Sequence, residues 1–173
     1  MRIEKILSGG DPRTLKGVDE VIMLVTDNPN KLQELFECLF VEDQVVRMRA
    51  GDALEKICRT HSDWLEPYTK RLLTEVSSIG QPSVKWHLAQ MLSEIKLNKS
   101  DTQQAIAILQ NNLSTTSDWI VENLTLESLA SFTRKGSIDK NKFIEILKSH
   151  SNSAHKSVVS RVDKLLKEFS RES

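Results

Sequence analysis

Four histidines and two cysteines are the residues of this 173-residue chain best suited to hold a metal or attack a substrate, and their placing favours neither. His61, His87, His150 and His155 are scattered. His150 and His155 lie five positions apart across a Ser-rich stretch, with no further ligand beside them to build a zinc set. His150, on an apolar stripe at a helix end, is expected to be partly covered and hydrogen-bonded. Cys38 and Cys58 stand near the C-terminal ends of antiparallel helices, ~15 Å or more apart at a rise of about 1.5 Å per residue. That distance is too great for a disulfide, so both are expected as buried thiols. There is no Gly-rich phosphate loop, GxSxG elbow, CxxC pair or HExxH helix. No catalytic residue, metal or cofactor is therefore expected. Recognition is the chemistry that remains, and Trp86 is its sharpest sign, because tryptophan is favoured at binding hot spots.

The elements that would position Trp86 repeat at a spacing of about 37 residues, the self-similarity of an α-helical solenoid. One helix of each unit aligns Leu32, Ile106 and Phe143, with Thr69 as the exception. It then aligns Leu35, Leu72, Leu109 and Ile146, and after them Leu39, Val76, Leu113 and His150. The second helix aligns Val46, Val84, Val121 and Val158, then Ala50, Leu88, Thr125 and Val162. Leu54, Leu92, Leu129 and Leu166 follow, then Ile57, Ile95, Phe132 and Phe169. Steps of three and four residues place each set on one helical stripe, so the units are helical hairpins. A shorter copy precedes them, with Ile3, Ile6 and Leu7 on one helix and Leu15, Val18, Ile22 and Val25 on the next.

Punctuation follows the same period. Asp11-Pro12, Asn28-Pro29, Glu66-Pro67, Gln81-Pro82, Ser100-Asp101, Ser117-Asp118, Gly136-Ser137 and Ser151-Asn152-Ser153 separate the stripes and supply caps and stops. Gly51 falls inside a helix, where it costs roughly 1 kcal/mol relative to Ala, and it predicts a close helix approach. With 39% hydrophobic and 28% charged residues the chain can bury one extended core. Its formal net charge is zero, which favours neither nucleic acid nor an anionic membrane. Charges interrupt the apolar residues of the first seven positions, as they would not in a signal peptide, and no stretch reaches the ~20 apolar residues of a membrane span. The expected location is cytoplasmic.

The run from Asp43 through Val45-Val46-Arg47 to Ala50-Gly51-Asp52-Ala53-Leu54 resembles the second helix of a HEAT repeat, of the armadillo-type α-solenoid class. Ser83-Val84-Lys85-Trp86-His87-Leu88-Ala89 is similar, with Lys for Arg. Glu122 and Val159 depart from the basic position, which puts the family's pairing by that base in question there. The resemblance implies an all-α fold, a right-handed α-α superhelix of about four full helical hairpins plus a short N-terminal pair. It would form a single domain over 1–173, with approximate repeats 1–27, 28–66, 67–99, 100–137 and 138–173. It also implies a non-enzymatic scaffold or adaptor whose second helices line a concave groove.

At about 100° per residue, taking Ala50 as the centre of the buried stripe points Met48 and Asp52 outward and sets Arg49 on a flank. The next repeat places Trp86 and Gln90 outward with His87 on the flank, and later ones give Asn123 and Glu127 beside Leu124, then Ser160 and Lys164 beside Arg161. The candidate partner-binding residues are thus Met48, Arg49, Asp52, Trp86, His87, Gln90 and Asn123, and the expected partner is a protein helix or extended peptide. Trp119 is expected to pack in a repeat joint and Trp64 to anchor a turn. The alternative is a nucleic-acid-binding protein similar to the HEAT-like alkylpurine DNA glycosylases, with Arg47, Arg49, Lys85 and Arg161 facing phosphates. Asp52, Glu55, Glu94, Glu122 and Glu127 break the continuous basic stripe that backbone binding wants. Val159 and Leu165 widen the apolar stripe of the last helix, a pattern that allows a homodimer through that helix.

Overall fold

The computed structural model describes residues 2–171, and apart from short 3-10 turns every regular element among them is an α-helix. α1 (Arg2–Leu7), α2 (Val18–Asp27), α3 (Leu32–Glu37), α4 (Gln44–Thr60), α5 (Ser62–Leu65), α6 (Thr69–Thr74) and α7 (Pro82–Glu94) form one compact unit ending at Lys96. α8 (Lys99–Thr115), α9 (Trp119–Arg134), α10 (Lys140–Ser149) and α11 (Lys156–Arg171) form a second, beginning at Leu97. No helix among the described residues is long and apolar enough to cross a membrane.

The long helices start where a side chain can take up free backbone N–H groups. Asp43 accepts from Val45 N at 2.8 Å and opens α4. Asp118 accepts from Ile120 N at 2.9 Å and Val121 N at 3.0 Å and opens α9. Asn98 caps α8 by accepting from Asp101 N at 2.8 Å, so Ser100-Asp101 lies in the first turn of that helix instead of before it. α7 opens on Pro82. Gly17 precedes α2 with φ 79°, and a Cβ there would sit 2.5 Å from the carbonyl oxygen of Ile6, so only glycine lets α1 and α2 approach so closely.

The second-helix stripe is buried in α4, α7, α9 and α11, except that Leu166 is only half-buried. The first-helix stripe is looser, with Thr69, Ile106, Ile146 and His150 half-buried. In the first unit these helices are short, α3 and α6 having six residues each, and each is prolonged by a 3-10 turn at Cys38–Phe40 or Val76–Ser78. The N-terminal pair differs from expectation in register. α2 buries Val18, Val21 and Val25, while Leu15 precedes the helix and is 48% exposed. Leu165 turns inward on α11, and the exposed face of that helix is polar. Cys38 and Cys58 are free and buried, and burial pushes both thiols up to about 12.

Polar contacts between neighbouring pairs keep the period. In the first unit Arg47 donates to Gln81 Oε1 at 2.7 Å and Arg71 to Glu37 Oε1 at 2.6 Å, each across 34 positions. In the second unit Arg134 donates to Glu168 at 2.7 Å and Arg161 to Glu127 at 2.5 Å, again across 34. Glu122, which stands in the basic position, accepts from His150 Nδ1 at 2.7 Å and Ser153 Oγ at 3.1 Å. Opposite polarity at that position thus still ties one helix pair to the next, and His150 is the half-buried, hydrogen-bonded residue its place on the stripe suggested.

Candidate protein-binding face

α4 has neighbours on both sides, α2 with the N-terminal segment on one and α7 on the other. Its buried positions run from Arg49 through Ala50 to Gly51 and Glu55, an arc of about 240° at 100° per residue. Met48 and Asp52 lie in the remaining arc and are half-buried. α7 repeats the arrangement, with Trp86 and Gln90 half-buried in its open arc. Asp52 is held by Lys56 at 2.9 Å, and Gln90 reaches Glu55 at 3.5 Å. The two apolar side chains, Met48 and Trp86, occupy equivalent positions on adjacent helices.

Arg49 is not on this face. It is fully buried, and its guanidinium donates to the carbonyls of Leu7 at 2.5 Å, Gly9 at 2.7 Å, Asp11 at 2.8 Å and Thr14 at 2.9 Å. A longer contact reaches Thr14 Oγ1 at 3.4 Å. The segment between α1 and α2 therefore closes over one arginine, which satisfies the last carbonyl of α1 and the turn after it.

His87 is also buried, at the position on α7 that matches Arg49 on α4, and faces back onto the preceding helix. A Cβ on Gly51 would lie 2.9 Å from its ring, which accounts for the glycine inside α4. Burial pushes the imidazole down from its ordinary 6.5 to about 4, against the opposing pull of the Asp52 carboxylate and of Gln90. Its Nδ1 has no hydrogen-bond partner among the described residues. Arg161 follows the same rule in the second unit and reaches back to Glu127 on α9. The flank ladder drawn from the sequence at Arg49, His87 and Arg161 is therefore a seam between repeats.

Asn123 has the outward register of Met48 and Trp86 but is buried, because Ser157 at the start of α11 covers it and accepts from its Nδ2 at 3.2 Å. A family model of the HEAT repeat domain matches residues 11–106, more than half of the chain. The chain belongs to the HEAT-repeat family. No curated protein and no solved structure matches it. HEAT repeats commonly mediate protein–protein interaction, and the family is generally a non-enzymatic scaffold.

In this HEAT-repeat chain the open second-helix face of the first unit thus includes Met48, Asp52, Trp86 and Gln90, and the other sequence-derived candidates, Arg49, His87 and Asn123, are covered. Trp119 corrects a further expectation, being 47% exposed at the first turn of α9. Trp64 stacks on His61 at 4.1 Å and borders a groove of about 450 Å³ with Pro29, Pro67, Tyr68 and Arg71. The Trp-Leu-Glu-Pro turn was the only sequence sign of that groove. Three of the four cations considered for phosphate contact are engaged internally: Arg47 donates to Gln81 and to the carbonyls of Val41 and Glu42, Arg49 is enclosed, and Arg161 pairs with Glu127, while Lys85 is half-buried.

Proposed function

We propose that this HEAT-repeat protein is a non-enzymatic scaffold that holds a helix or extended peptide of a protein partner across α4 and α7. The observation that carries the reading is the pair Met48 and Trp86, open at equivalent positions of adjacent helices beside the polar groups of Asp52 and Gln90. An amphipathic segment fits such a face, with apolar anchors against Met48 and Trp86 and a polar edge toward Asp52 and Gln90. The buried seam beneath, Arg49 and His87, keeps both helices in place without touching the partner. We place the protein in the cytoplasm, where its two buried thiols stay reduced.

The test is affinity capture from lysate of the source organism, nuclease-treated and untreated, with wild type, Met48→Ala/Trp86→Ala and, as control, Trp119→Ala. The double variant should stay folded, each change costing within about 1 kcal/mol at half-exposed positions. A protein retained by wild type and the control in both lysates, and weakened at least about tenfold by the double variant, supports the reading. Retention of nucleic acid alone, or a protein bound equally by all three, refutes it.

A further inference from the structure

The exposed faces of α2 and α11 carry opposite charge. On α2, Asp19, Glu20 and Asp27 surround Met23, which is 62% exposed, and the helix holds no lysine or arginine. On α11, Lys156, Lys164, Lys167 and Arg171 form one exposed stripe against the single exposed carboxylate of Asp163. Counting exposed side chains gives three negative charges against four positive and one negative. None of them makes an ion pair among the described residues, whereas Glu168 on the flank of α11 is already held by Arg134. The chain as a whole has zero net charge, so these two faces are local exceptions to its balance.

The spacing matches as well as the sign. Asp19 and Asp27 stand eight positions apart, as do Lys156 and Lys164, which is about 12 Å along a helix. Met23 lies midway between the first pair and Ser160, a small residue, midway between the second, with half-buried Val159 beside it. Two such helices laid together set carboxylate against ammonium at both ends and leave room for the methionine over the serine. We propose that the α2 face of one copy docks on the α11 face of a second copy. Each copy presents both halves of the contact, one on α2 and one on α11, so every copy can both offer and accept it. Screening weakens it, because every ion pair in it lies at the surface.

Sedimentation velocity of the full chain tests this at rising concentration up to about 200 µM, in about 20 mM and about 0.5 M salt. The weight-average mass should climb with concentration at low salt and return to the monomer at high salt. Asp19→Lys/Asp27→Lys on α2 and Lys156→Glu/Lys164→Glu on α11 should each be monomeric alone, with helical spectra and melting like wild type. An equimolar mixture of the two should associate again, since the unaltered α11 face of the first variant meets the unaltered α2 face of the second, and the two reversed faces meet each other. Monomer at all concentrations in low salt overturns the proposal. So does association that persists in either variant alone, or a mixture of the two that stays monomeric.

Discussion

Arg49 brings a positive charge to a position with no exposure, and its hydrogen-bond acceptors there are four backbone carbonyls and one hydroxyl. Such a site is stable only while every N–H has a partner, and it is unforgiving of change on either side. Arg49→Met keeps the apolar stem but leaves the carbonyls of Leu7, Gly9, Asp11 and Thr14 without donors. Hydrogen bonds to charged groups are worth more than neutral ones, and several fail together, so the variant should lose about 3–5 kcal/mol. Urea unfolding followed by helical ellipticity measures it, and amide exchange should open first in residues 2–17. A loss under about 1 kcal/mol would mean that the segment between α1 and α2 holds itself. Arg49 was legible in the sequence as part of a ladder, but not as a pin. Its partners are backbone atoms about 40 positions away, and backbone carbonyls leave no mark on residue identity.

At the scale of the element, the width of the buried arc decides what a helix offers to solvent. A single amphipathic stripe describes a helix packed on one side. Within the first unit α4 is flanked twice, and on α4 and α7 the positions about 100° either side of the stripe are closed. Stripe residues such as Val46, Ala50, Leu88 and Val162 were readable because their register depends only on the helical period, whereas Arg49, His87 and Asn123 depend on what lies beside the helix. The seam between α4 and α7 has a measurable consequence. His87 there is neutral in the fold, with its imidazole lowered to about 4 from 6.5, so the unfolded chain binds the proton first as pH falls. Stability is therefore full above about pH 6.5, declines by up to about 1.4 kcal/mol per pH unit below it, and has lost roughly 3 kcal/mol by pH 4. Urea midpoints at successive pH values should trace that fall, and His87→Leu should flatten the part of it between pH 6.5 and 4. An unchanged slope in that variant would assign the acid sensitivity to other groups.

For the whole molecule, the repeat period gave the order and pairing of the helices, since stripes, caps and prolines all punctuate the chain at the same interval. Where the chain separates into compact units is a different matter, set by the density of packing and not by the period. The first unit, up to Lys96, buries its own set of large side chains, among them Ile3, Leu7, Leu35, Phe36, Leu54, Leu72 and Leu88. It also contains both partners of the Arg49 pin, of the Gly51–His87 approach and of the Arg47–Gln81 and Arg71–Glu37 ties. Repeat stacks draw their stability from each unit and its nearest neighbours, so a segment that holds complete pairs and their seams can stand without the remainder. Residues 1–96 expressed alone should therefore give a helical spectrum and one cooperative melt, and Arg49→Met should lower its urea midpoint as it does that of the full chain. Loss of helicity in the fragment, or a midpoint insensitive to Arg49→Met, would show that the seams within the first unit do not suffice to hold it.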